Sequence, residues 1–248
     1  MVVPGERPVD GPVDITVGTP RPRTPRPLVV GIGGTGRTGG ATERALTVAL
    51  GAAAEGGARV RLFDGAFLGE LPMFRPAATD RATHPLAAEL LDIVARSDGL
   101  IVASPSYHGG VSAMVKNALD YLEELRDDPR PYLDGRAVGC VVTSAGGQAA
   151  GTTLAALRSI VHALRGWPTP LGATVVHAGD PSLAAGGNAG PGAGTSPGAA
   201  SADAVDRCRM QLCVVGHQVI EFAHTFGAGR PAGPAEQRML STGAGAAR

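Results

Sequence analysis

Lysine is almost missing. Of 22 basic residues only Lys116 is not arginine, and 22 acidic residues cancel them to a formal net charge of zero. Nucleic-acid binders carry a basic excess or a basic patch; this chain has neither. Abundant Ala, Gly, Pro and Arg beside a single Lys points to coding bias of a GC-rich genome rather than to a function. Aromatic residues make up only 4%, so the core has to be built from Ala, Val, Leu and Ile. Cysteine is scarce as well. Cys140, Cys208 and Cys213 show no metal-ligand spacing, and an odd, low count suits a reducing compartment without structural disulfides. No run approaches the ~18 apolar residues of a membrane span. The first residues lack the basic-then-apolar order of a secretory signal. A soluble cytoplasmic protein without nucleic-acid or membrane partners is the expectation.

Glycine and proline are what the chain has in excess. Together they are 57 of 248 residues (37 Gly and 20 Pro), and they gather in 1–27, 179–201 and 227–248. The run Pro20-Arg21-Pro22-Arg23-Thr24-Pro25-Arg26-Pro27 fixes φ and removes donors, which predicts an extended arm. Setting these pieces aside leaves roughly 175 residues, the size of one domain. The expected organisation is a Pro-rich disordered arm over 1–27, one domain over 28–226 with a flexible insertion at about 179–201, and a disordered tail over 227–248.

Inside the domain, apolar runs alternate with helical patterns. Leu28 to Ile32, Gly99 to Ala103, Ala137 to Val142 and Ala173 to Val176 read as buried strands. Ala58 to Phe63 alternates apolar residues with Arg, as a strand at or near a sheet edge does. Helices are expected over Ala41 to Ala54, His84 to Arg96, Val111 to Leu125, Gly151 to Leu164 and Ala202 to His224. Continuous apolar strands separated by amphipathic helices predict a parallel sheet covered on both faces. Ligands of such sheets sit outside the carboxyl ends of the strands. The informative residues are therefore those after Ile32, Ala103 and Val142.

The first of these loops is Gly33-Gly34-Thr35-Gly36-Arg37-Thr38-Gly39-Gly40-Ala41-Thr42. Backbone amides, hydroxyls and an arginine at a helix start suit a phosphate. A Walker A loop needs Lys and Ser or Thr after its last glycine, where Gly40 and Ala41 stand, so that reading fails. Gly34, Gly36 and Gly39 match G-x-G-x-x-G, with Asp64 at the end of the second strand, and leave a dinucleotide site open. The Tyr-x-x-x-Lys pair of short-chain dehydrogenases is absent. The second loop, Ser104-Pro105-Ser106-Tyr107-His108-Gly109-Gly110, brackets an aromatic with proline and glycine. The third, Thr143-Ser144-Ala145-Gly146-Gly147-Gln148, again joins an apolar strand to a helix.

Taken together, the loops resemble the NADPH-dependent FMN reductases of the flavodoxin-like fold, a family of flavin, quinone and azo-dye reductases. Gly34, Thr35 and Arg37 are similar to the family's Gly-Ser-x-Arg-x-x-Ser loop, with Gly40 where the second Ser often stands and Thr42 as its replacement. Pro105, Tyr107, Gly109, Lys116, Asn117 and Asp120 match Pro-x-Tyr-x-Gly-x-x-x-x-x-Leu-Lys-Asn-x-x-Asp, with Val115 for Leu. Ser144, Gly146 and Gly147 resemble the Gly-rich loop beside the flavin ring.

The resemblance implies a flavodoxin-like, doubly wound, five-stranded parallel sheet of order 2-1-3-4-5 with helices on both faces. It implies FMN as cofactor and NADPH or NADH as donor. It places the phosphate on Thr35, Arg37, Gly39, Gly40, Ala41 and Thr42, and the isoalloxazine against Pro105, Ser106, Tyr107, His108 and Gly109. Ser144, Ala145, Gly146 and Gly147 would line its pyrimidine edge, with the Gly146 and Gly147 amides donating to it. No catalytic acid or base is assigned, and no metal is expected. A small-molecule acceptor such as a flavin or quinone, and a homodimer or homotetramer, complete the expectation. The rivals are a tailoring flavoenzyme with a dedicated metabolite and a flavodoxin-like electron carrier. Lys116 and Asp120 are spaced as an i,i+4 pair, and Met114, Val115 and Trp167 are expected in the core or at an interface.

Overall fold

The computed structural model describes residues 26–76, 84–176 and 202–227. The expected arm up to residue 25, the insertion at 179–201, His177 and the tail after 227 lie outside the described residues.

Seven strands form one sheet. They are β1 (Leu28–Gly33), β2 (Arg59–Phe63), β3 (Gly99–Tyr107), β4 (Gly110–Val111), β5 (Ala137–Ser144), β6 (Trp167–Pro168) and β7 (Ala173–Val176). The parallel neighbours run β2-β1-β3-β5, and β5 then pairs first with β6 and further along with β7. This is the expected 2-1-3-4-5 order, with the fifth strand divided into two short pieces. β2 lies at the edge, as its Arg59 and Arg61 suggest.

The helices are α1 (Ala41–Glu55), α2 (Gly65–Glu70), α3 (Pro85–Arg96), α4 (Ala113–Asp120), α5 (Gly147–Ala163) and α6 (Ala202–Gly227). Residues of α1 and α6 share one apolar cluster with Val29, Ile101 and Val141. Residues of α3, α4 and α5 share another with Val30, Val102 and Val142. Successive strand residues thus feed opposite faces, which is why these strands read as unbroken apolar runs.

Four boundaries differ from the sequence expectation. A short helix, α2, follows β2. β3 continues to Tyr107 and folds back as a hairpin with β4. The helix expected over Val111 to Leu125 is α4 followed by a 3₁₀ turn over Tyr121–Leu125. α5 begins at Gly147, four residues before the predicted Gly151. Val115 is core, and Met114 packs partly buried against it. Trp167 is not core: it is 60% exposed, with its ring 6.1 Å from that of Phe222.

Cys140 is fully buried in β5, and burial pushes its thiol up to about 12. A raised value in the folded state contributes stability that is complete below the ordinary 9.0 and is lost as pH rises through about 12. Unfolding midpoints are therefore expected to fall from about pH 9 upward. Cys140→Ala should flatten that decline; the same decline in the variant would show that another group causes it.

Candidate functional site

Three strand ends meet along one edge of the sheet. β1 stops at Gly33, β3 carries its hairpin past Ala103, and β5 stops at Ser144. They are hydrogen-bonded neighbours, so β1 and β5 stand about 10 Å apart.

The first loop is satisfied largely by its own groups. The Thr35 hydroxyl accepts from the Arg37 amide at 3.2 Å and donates to the Arg37 carbonyl at 3.3 Å. The Gly39 amide donates to Glu43 Oε2 at 2.9 Å, and Arg44 donates to the Gly39 carbonyl. Thr42 is buried, with its hydroxyl 2.6 Å from that of Thr143 on β5. The Arg37 side chain is exposed, and its guanidinium has no partner among the described residues. Gly40 caps α1 without a side-chain bond. The amides of Ala41, Thr42 and Glu43 therefore lack an intrahelical acceptor, and the helix dipole adds partial positive charge there.

α2 closes against this loop. Asp64 caps it, Oδ1 accepting from the Phe67 amide at 2.9 Å. That engages the carboxylate noted above beside the G-x-G-x-x-G match. A Cβ on Gly65 would lie 1.9 Å from the Thr35 carbonyl oxygen, so the two backbones touch.

The second loop is a two-residue hairpin. Ser106 pairs with Val111 and Tyr107 with Gly110. His108 (φ 54°) and Gly109 (φ 77°) both take the left-handed conformation that matches strand twist in such turns. Tyr107 is exposed at the tip, while Pro105 is buried. In the third loop, Ser144 Oγ accepts from the Gly146 amide at 3.2 Å. Gly147 opens α5, with its amide at the helix start.

Gly36, Gly39, Gly109, Gly146 and Gly147 share one property: nothing lies within 4 Å of where a Cβ would stand. Bare backbone thus faces open space at all three strand ends, with the Arg37 side chain and the α1 amides at one of them.

A family model described as NADPH-dependent FMN reductase matches residues 27–180, well over half of the chain. The chain belongs to this family. It is an NAD(P)H-dependent flavin oxidoreductase with FMN as its cofactor. No curated protein matches the chain. Among solved structures, it is similar to an NADH:FMN oxidoreductase (EMOB), with 19% identity, 84% of this chain and 92% of that one covered, and TM-score 0.55. It is similar to an oxidoreductase from Corynebacterium diphtheriae, with 17% identity, 81% and 98% covered, and TM-score 0.59. FerB, a flavoenzyme NAD(P)H:(acceptor) oxidoreductase from Paracoccus denitrificans, matches at 19% identity, 81% and 98% covered, and TM-score 0.52. At these identities the likeness shows the flavodoxin-like fold.

For this FMN reductase, two side chains and one backbone amide expected at the flavin are engaged within the protein. The Thr42 hydroxyl, which stands for the family's second Ser, pairs with that of Thr143. Ser106 Oγ reaches α5, 2.7 Å from Thr153 Oγ1 and 3.1 Å from the Ala149 carbonyl. The Gly146 amide is taken by Ser144, which leaves Gly147 as the free donor of the pair.

The family's most specific motif has a structural explanation. Lys116 and Asp120 form an ion pair along α4 at 2.6 Å, both about half exposed. Asn117 accepts from the Phe74 amide at 2.8 Å and donates to the Pro72 carbonyl at 2.9 Å, so it holds the segment after α2. Sequence reasoning missed Glu43, whose only sign was its place in the first turn of α1. Among the described residues no group of three or more His, Cys, Asp or Glu side chains converges on a metal position, and no helix is long and apolar enough to cross a membrane.

Proposed function

We propose that this FMN reductase holds FMN across the ends of β1, β3 and β5 and reduces a small electron acceptor, a free flavin or a quinone. The observation that carries the reading is the glycine cradle over three adjacent strand ends. Arg37, exposed and unengaged among the described residues, supplies charge to the phosphate. The amides of Ala41 and Thr42 supply oriented donors at the α1 start. Thr35, Gly39 and Gly40 shape the loop around it.

Tyr107 and His108, raised on the hairpin, border the ring, and Gly109 and Pro105 let it approach the backbone. Ser144 and Ala145 line its far edge. The Gly147 amide, at the start of α5, faces that edge and stabilises negative charge arising there, as an oxyanion hole does. When bound, FMN supplies the hydride-accepting and electron-donating chemistry, so no side chain has to act as acid or base. The open outer side leaves room for NADPH or NADH and then the acceptor in turn. The exposed rings of Trp167 and Phe226, joined through Phe222, support assembly as a homodimer or homotetramer.

Arg37→Ala is expected to weaken FMN binding roughly ten- to a hundredfold, the loss of a charge-assisted contact. Riboflavin, without phosphate, should bind the variant as it binds the parent. Equal FMN affinity in a flavin fluorescence titration would remove Arg37 from the site. Catalytic NAD(P)H oxidation with free FMN or a quinone would exclude a pure electron carrier.

A further inference from the structure

Resting on the assignment of the β1–α1 loop to the FMN phosphate, we infer that Glu43 limits the affinity of this site for the phosphorylated flavin by acting as the loop's own anion. Glu43 stands in the first turn of α1, the end of a helix that attracts negative charge. Its carboxylate already holds the Gly39 amide at 2.9 Å. Arg44, the next residue, holds the Gly39 carbonyl. The Gly39 peptide, at φ +69°, is thus clamped from both sides by neighbours on one helix turn.

A phosphate monoester carries close to two negative charges at neutral pH, as a phosphorylated side chain does. In this loop it meets Arg37 and the helix amides, and it also meets a carboxylate held on the Gly39 amide of the same loop. Either the carboxylate stays and repels the phosphate, or it rotates away and Gly39 loses a partner. Both routes lower FMN affinity, and neither touches a flavin without phosphate. Glu43 is therefore a specificity-determining residue that keeps FMN exchangeable.

The test titrates the full chain and its Glu43→Gln variant with FMN and with riboflavin, at low salt and at 1 M salt. Gln retains an acceptor oxygen for the Gly39 amide and removes only the charge. The variant is expected to bind FMN about five- to tenfold more tightly at low salt. The gain should shrink at 1 M salt, where screening is strong, and riboflavin affinity should not change. Unchanged or weaker FMN binding overturns the inference, as does an equal gain for riboflavin. Glu43→Asp is a second check if the Gln variant folds poorly: it keeps the charge and should show no gain for FMN. If neither the parent chain nor the Glu43→Gln variant prefers FMN over riboflavin, the phosphate assignment itself is wrong.

Discussion

Gly65→Ala is expected to abolish measurable FMN binding and to lower the unfolding midpoint by about 10 °C. The added Cβ would lie 1.9 Å from the Thr35 carbonyl oxygen, where ordinary contact begins near 3.4 Å. The obstacle is backbone on both sides, so no rotamer relieves it. The loop before α1 must move by more than an ångström, away from the geometry that presents Arg37 and the helix amides. Overpacking of this severity costs about 3 kcal/mol. In a domain of this size each kcal/mol shifts the midpoint by about 2–4 °C. Gly69→Ala on the same short helix is the control. Its Cβ would first meet Met114 Cε at 3.8 Å, so stability and FMN binding should both survive. A Gly65→Ala protein that binds FMN normally would show that α2 does not brace the phosphate loop.

Arg136→Met should be the most destabilising single change outside the site. Arg136 is fully buried at the entrance to β5. Its guanidinium donates to the carbonyls of Ala95 at 2.5 Å, Ser97 at 3.1 Å and Tyr132 at 3.0 Å. Two of these acceptors belong to the end of α3, where carbonyls lack helix partners and carry partial negative charge. Arg130 reaches the same Ser97 carbonyl at 2.9 Å. Methionine fills the space and leaves the Ala95 and Tyr132 carbonyls without this charged donor, at a cost of about 3–5 kcal/mol. Arg136→Lys keeps the charge but cannot spread donors over three acceptors as a planar fork does, and should fall between. Urea unfolding of the three proteins measures the order; equal midpoints would mean that the carbonyls find other donors.

The frame of this fold was legible because its strands are buried on both faces. Leu28 to Ile32 and Ala137 to Val142 are apolar without a break, and no helix period fits so short a run. The helix α2 was not legible. It has six residues with glycine at its first and fifth positions, and its one sign was Asp64 placed to cap Phe67. The β3 hairpin was hidden by Ser104-Pro105-Ser106, polar and proline-bearing residues that read as the end of a strand. Gly146 and Gly147 concealed the start of α5 in the same way, since helix propensity counts against them. The site was legible as three backbone segments, not as side-chain directions. Thr42 finds its partner 101 residues away and Ser106 finds its own 47 residues away. No local pattern encodes either pair.

The division of the fifth strand into β6 and β7 has a consequence for strand addition at this border. A sheet border with a continuous row of unpaired amides is a template on which foreign strands can grow. Here that border offers two residues, then a break at Thr169 to Gly172, then four. Pro168 and Pro170 bring no amide hydrogen at all. At the opposite border, Arg59 and Arg61 place positive charge along β2. Both margins therefore discourage strand addition and amyloid-like growth.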